Sequence, residues 1–400
     1  MTTTRGGHPS EDHVPELRPF SDPEPTGGIG PLDGEDGSGS AGGTVADDGG
    51  RPGRRLSTMM VAGLAALGLG IAVGTLPVPY VIESPGPTYN TLGESQGHPV
   101  INVSGHETYP AAGSLDLTTV YVDGGPTGSV SVLTAFSAWL DSSKAVYPEE
   151  LIYPTGTTKE AAQEQSAVAM TTSQENAVAS ALNELKIPFS QQLQAADLSK
   201  DSASAGKIQQ GDVLKTIDGK DITSLSVIQD ELAAGRGAPA TVTVERAGQP
   251  VTVDITPKDN GQGRYILGVM LKYLFNFPFQ VQISLDKVGG PSAGLMFSLG
   301  IIDTVTPGDL TGGKHIAGTG TIAPDGTVGP IGGIAQKMRG ARAAGATVFL
   351  APAGNCDEVA GHVPAGLRVV RVENLSQARR AVEAAGSGKE TSGLPTCANN

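Results

Sequence analysis

Cysteine is almost missing from this chain of 400 residues, which has only Cys356 and Cys397, and its six histidines are scattered. No Cys or His cluster has metal-ligand spacing, so the sequence offers no metal centre. Positive charge is also scarce: 27 Lys and Arg stand against 41 Asp and Glu, a formal net charge of −14, and no basic surface argues for nucleic acid. After Arg55 the next Lys or Arg is Lys144, and Leu56 to Leu76 has no charged residue at all. A helix of that length spans about 31 Å, near the hydrocarbon thickness of a bilayer. Residues 56–78 therefore read as a transmembrane helix. The rival is a cleaved signal peptide, but the 55 residues before it make a long leader.

Those first 55 residues are rich in Gly, Pro and Ser, with ten acidic and five basic residues. They cannot bury enough surface to offset their ordering entropy and read as disordered. Arg51, Arg54 and Arg55 flank the span on that side. The positive-inside rule puts the N-terminus in the cytoplasm and everything after the span outside the cell. Cys356 and Cys397 then fall in an oxidising compartment, where a disulfide between them is expected, with two free thiols as the alternative.

The chemistry gathers at Gly289-Gly-Pro-Ser-Ala-Gly-Leu-Met296 and at Lys337. Pro291 before Ser292, followed by Leu295, Met296, Leu299 and Ile302 at helical spacing, predicts Ser292 in the first turn of a buried helix. N–H groups and the positive helix end there suit an oxyanion. A serine nucleophile needs a base, and no histidine has a favourable setting. Lys337 does: it shares an apolar helix face with Ile334, Met338 and Ala341, where desolvation favours the neutral amine. If Lys337 is the base, activity rises with pH through the neutral range.

Pro291-Ser-Ala-Gly294, Thr319-Gly-Thr-Ile322 and Pro330-Ile-Gly-Gly333 leading to Lys337, with Pro352 and Asn355 beyond, together resemble the proteolytic domain of Lon-type serine peptidases. The resemblance implies a Ser-Lys dyad: Ser292 as nucleophile, Lys337 as base, and Thr319 with a hydroxyl that helps hold the lysine. One departure stands out, since Lon proteases commonly carry an acid three residues before the serine and this chain has Gly289.

Residues 187–257 resemble a PDZ domain, through the run Ala205-Gly-Lys-Ile-Gln-Gln-Gly-Asp-Val-Leu-Lys-Thr-Ile-Asp-Gly219. A helix from Thr223 or Ser224 to Ala234 and a hairpin of 241–245 with 251–256 complete the pattern. That family binds extended peptides beside its helix. Its carboxylate-binding loop is expected near Lys186–Gln191, which lacks a Gly-rich signature. Leu115–Val122 reads as a strand that could belong to the protease fold, making the PDZ-like segment an insertion.

Gly308–Lys314 has phosphate-loop spacing, but His315 stands where Ser or Thr must bind magnesium. No cofactor is expected. The fold class expected is an α/β (α+β) Lon-type domain, a PDZ domain (a partly open β-barrel with helices) and one N-terminal transmembrane helix. The expected segments are a disordered cytoplasmic tail (1–55), the span (56–78), an N-terminal extracytoplasmic region (79–186), the PDZ domain (187–257), the Lon-type domain (258–386) and a C-terminal tail (387–400). The whole resembles membrane-anchored PDZ and Lon-like peptidases of Gram-positive bacteria. That resemblance implies a membrane-bound, ATP-independent endopeptidase acting on flexible polypeptides held by the PDZ domain, with ring-like homo-oligomers by analogy. Two alternatives stay open: a peptide-binding adaptor with a dead dyad, and a protein that processes only its own chain.

Overall fold

A computed structural model describes residues 52–198, 201–285, 288–388 and 393–397. The tail expected over 1–55 lies almost wholly outside the described residues. Pro52–Gly74 is one α-helix, and its window Ser57–Gly74 is long and apolar enough to cross a membrane, with none of the window's residues buried. The helix stops short of residue 78: the chain turns through Thr75 and Leu76 and pairs Pro77 and Val78 antiparallel with Ser131 and Val130.

One of two six-stranded sheets among the described residues has the strand order Arg368–Val372, Val348–Pro352, His315–Gly318, Ser114–Gly124, Tyr80–Asn90 and Ala145–Pro148. The first four are parallel and the last two join antiparallel. Strands within 80–148 and 315–372 thus build one sheet, and strands within 190–276 build the other.

Side chains alternate across the first sheet, as a pleated strand dictates. Leu350 faces a core with Leu115, Leu117 and Ile316, capped by the helices Lys159–Glu184, Gly294–Val305 and Leu375–Gly386. Phe349 and Ala351 face the other way, against Ile334, Met338 and Ala341 of the helix Ile334–Ala343. The serine and lysine helices therefore lie on opposite faces of the sheet. Their residues can meet only past a strand end.

The 190–276 unit is an antiparallel sheet in the order Gln249–Ile255, Ala240–Arg246, Val213–Ile217, Ser190–Leu198 and Val269–Asn276, with the helix Leu225–Gly235 packed on it through Ile228 and Leu232. Its last strand lies beyond residue 257, where the sequence reading ends the domain. Leu271, Tyr273 and Phe275 of that strand face the unit's side and pair with Ala195, Leu193 and Gln191, which is why it belongs to this sheet. Cys356 and Cys397 are joined by a disulfide, and Arg371 N–H bonds Pro395 O at 2.9 Å, so residues 393–397 are tied to the lysine-helix side of the domain.

Candidate active site

The parallel strand His315–Gly318 ends, the chain breaks out of the sheet at Thr319 and Gly320, and Thr321–Ile322 starts a short hairpin with Val328–Gly329. This break is where the site lies, at the carboxyl end of a parallel strand. Gly320 N–H donates to Ser292 O at 2.8 Å and the Thr319 hydroxyl donates to the same carbonyl at 3.0 Å. Because that carbonyl is taken by the neighbouring segment, the helix begins only at Gly294. Ser292 therefore stands in the turn just ahead of the helix rather than in its first turn.

From the other face of the sheet, Lys337 reaches the same point. Its Nζ donates to Ser292 Oγ at 2.8 Å and lies 3.2 Å from Thr319 Oγ1. Lys337 is 3% exposed and Thr319 is fully buried. Burial pushes the lysine down to about 8, against the pull of the Glu83 carboxylate, which favours the ammonium. At neutral pH a sizeable minority of such lysines is a free amine within hydrogen-bond reach of a hydroxyl. That is the arrangement a nucleophile and its base need.

The lysine helix is aimed by its own N-terminus. Gly333 caps it at φ 68, a left-handed conformation suited to glycine, and a Cβ there would meet Glu83 Oε2 at 2.9 Å and Val120 at 2.8 Å. Asn355 holds the approach: Ile331 N–H donates to its Oδ1 at 2.9 Å, and its Nδ2 donates to Ile331 O at 2.7 Å. Pro352, the other residue of the motif, ends the neighbouring strand Val348–Pro352.

Gly289 has a structural reason. A Cβ at that position would lie 2.1 Å from Ser166 Oγ, and the next N–H, of Gly290, donates to Ser166 O at 3.0 Å. Ser166, on the helix Lys159–Glu184, fills the space an acidic side chain would need. The carboxylate nearest the dyad in its electrostatics comes instead from Glu83, on the strand Tyr80–Asn90. Glu83 is 8% exposed, its Oε2 has no hydrogen-bond partner, and burial raises its pKa while Lys337 opposes the rise. Neither Ser166 nor Glu83 carries a local sequence signal. Replacing Glu83 by Gln removes a charge that favours the ammonium, so the acid limb of the pH–rate profile should move to lower pH; an unmoved limb would mean the two groups are not coupled.

Ser292, Ala293 and Lys337 open into a cleft of about 570 Å³ lined also by Leu117 to Val122, Ser166 and Gly289. One side of it is a strand edge. Ser114–Leu117 pairs with His315–Gly318, but past Thr118 the described strand pairs only with Tyr80–Asn90.

Residues 285–382 match the family model of the Lon protease (S16) C-terminal proteolytic domain. The relatives include a Lon protease of Heliobacterium modesticaldum, 36% identical over 94 residues, and Lon protease 2 of Herpetosiphon aurantiacus, 37% identical over 91 residues. The matches cover 23% and 22% of this chain and 11% of each relative, so the chain spans only about a tenth of their length. The matched segment is similar to the proteolytic domain of Lon-type serine proteases. Among solved structures, the PDZ domains of SdrC-like proteins from Listeria innocua and Listeria monocytogenes align at 18% and 20% identity, covering 20% of this chain and 92% and 85% of theirs, each with a TM-score of 0.19.

The segment Lys186–Gln191 leads into the strand Ser190–Leu198, which has Val269–Asn276 along one side and Val213–Leu214 on the other. The terminal strand of the sheet is Val269–Asn276, approached through Gly268 at φ 71, and its Tyr273 hydroxyl accepts the N–H of Leu225 at the start of the helix Leu225–Gly235, at 3.0 Å. The phosphate-loop look-alike, Gly308–Lys314, runs directly into the strand His315–Gly318, not into the helix that a phosphate loop needs.

Proposed function

We propose that this protein is a membrane-anchored, ATP-independent serine endopeptidase that cleaves flexible or unfolded segments outside the cytoplasm with a Ser292–Lys337 dyad. The observation that carries this reading is the 2.8 Å contact between a buried lysine amine and the hydroxyl of a Lon-type motif serine. Neutral Lys337 takes the Ser292 proton as Oγ attacks a peptide carbonyl. The ammonium that forms passes its proton to the leaving amine, and the neutral Lys337 thus regenerated deprotonates the water that attacks the acyl-enzyme, returning that proton to Ser292 Oγ as the ester bond breaks.

Thr319 holds the lysine from one side and the Ser292 carbonyl from the other, which fixes the serine turn relative to the base. The oxyanion falls to the N–H groups of that turn and the positive end of the Gly294–Val305 helix. A substrate in extended form can add along the free edge of residues 119–122, which brings its backbone across the cleft that holds Ser292. The PDZ-like unit offers a second edge, Val269–Asn276 beside its helix, for an extended peptide.

The test is casein incubated with the purified chain and no ATP. Wild type should degrade it and Ser292→Ala should not. No degradation by either, with or without a peptide that occupies the PDZ-like unit, would favour a non-catalytic adaptor; cleavage confined to the chain itself would favour self-processing.

A further inference from the structure

The helix Val132–Leu140 is uncharged and exposes Leu133, Phe136, Trp139 and Leu140 at 66%, 56%, 73% and 66%. Its other side is accounted for: Ala135 and Ala138 pack against Ile82, Val130, Val78 and Val146. The exposed residues recur at helical spacing, so they form one stripe. A stripe this apolar on a chain of low aromatic content, and holding its single Trp, calls for an occupant.

Its position names the occupant. Val132 N–H donates to Leu76 O at 3.0 Å, and Ser131 and Val130 pair with Pro77 and Val78, the first strand after the apolar helix Pro52–Gly74. A Cβ on Gly74, the last residue of that helix, would be 3.8 Å from Leu133 Cβ. If Gly74 ends a membrane span, Leu133 lies at the same depth, at the edge of the hydrocarbon, and Phe136 and Trp139 continue from it. Aromatic side chains gather at that boundary, and a helix lying in it buries its apolar face while its ends stay in water. Asp141 and Lys144 follow directly at the C-terminal end.

From this continuity we infer that the Val132–Leu140 helix lies in the outer interface of the bilayer as a second anchor. The inference rests on the membrane-span reading. Thr127, which lines the active-site cleft, is five residues before Val132, so the anchor holds that cleft near the lipid surface. Segments of membrane proteins close to the bilayer are then its nearest substrates.

Trp139 makes the test direct, because no other Trp contributes emission. The full chain is reconstituted in vesicles whose lipids carry a quencher either near the headgroup or at the acyl end. Trp139 emission should shift to the blue and be lost mainly to the shallow quencher. A control, Leu67→Trp in a Trp139→Phe background, should be lost mainly to the deep one. Quenching of Leu67→Trp with Trp139 reached only by aqueous iodide overturns the anchor and leaves the span standing; no lipid quenching of either overturns both. A blue shift that grows with protein-to-lipid ratio, without lipid quenching, assigns the stripe to a second copy and also overturns the anchor. Leu133→Gln with Phe136→Ser and Leu140→Gln should abolish the shallow quenching and leave cleavage of a short soluble peptide unchanged.

Discussion

Lys337→Met removes peptide cleavage, lowering kcat/KM by about 1,000-fold or more, and Ser292→Ala does the same. Methionine keeps most of the lysine's volume in the buried site but cannot take a proton. Without a base, Ser292 is an ordinary alcohol, a weak nucleophile at neutral pH. The two side chains act as one unit, so the double variant should be no worse than either single one. The Lys337→Met variant should also keep its melting transition, since a buried cation is replaced by an apolar chain of similar size. Independent, multiplying losses would contradict a dyad.

Gly294→Val should cost at least 100-fold in kcat without touching either reacting group. A Cβ at Gly294 would meet Ile322 Cγ2 at 2.7 Å and Ser173 Oγ at 2.9 Å. Ser173 Oγ donates to Pro291 O at 2.9 Å, and Ile322 belongs to the segment that carries Thr319. The serine helix can relieve the clash only by moving away from both. That shifts Ser292 relative to Lys337, and the overpacking also costs about 1–3 kcal/mol of stability. Assays of kcat and thermal unfolding on one preparation separate the two effects: loss of activity well below the melting temperature is displacement, and full activity would mean the strand yields instead.

Ser292 and Lys337 were legible because their motifs are local. Pro-Ser-Ala-Gly and Pro-Ile-Gly-Gly with a lysine four residues on each fix one end of one helix, and helix periodicity supplied the apolar neighbours. Glu83 was not legible, because it reaches the dyad only through the pairing of Tyr80–Asn90 with Ser114–Gly124, and nothing near residue 83 marks that register. Ser166 was hidden for a similar reason: its helix packs on the serine helix from far along the chain. The helix start differs by two residues because the Ser292 carbonyl bonds Gly320 and Thr319 across the site, a contact without a sequence signature. In the PDZ-like unit the helix and hairpin follow their local patterns, but the strand that closes the sheet comes after them in the chain. A reading that ends at residue 257 leaves out that strand, Val269–Asn276, which pairs with Ser190–Leu198.

The central claim is that a buried lysine, held near pKa 8, is the base for Ser292. Burial lowers its pKa, so the neutral, competent form grows as pH rises; below that value the rate should fall about tenfold per pH unit, and above it level off. The direct measurement is kcat/KM for a short peptide from pH 6 to 9.5, with Glu83→Gln beside wild type. A single rising limb with its midpoint near 8, displaced to lower pH by Glu83→Gln, is the expected result. A flat profile, or one that falls as pH rises, would contradict a lysine base.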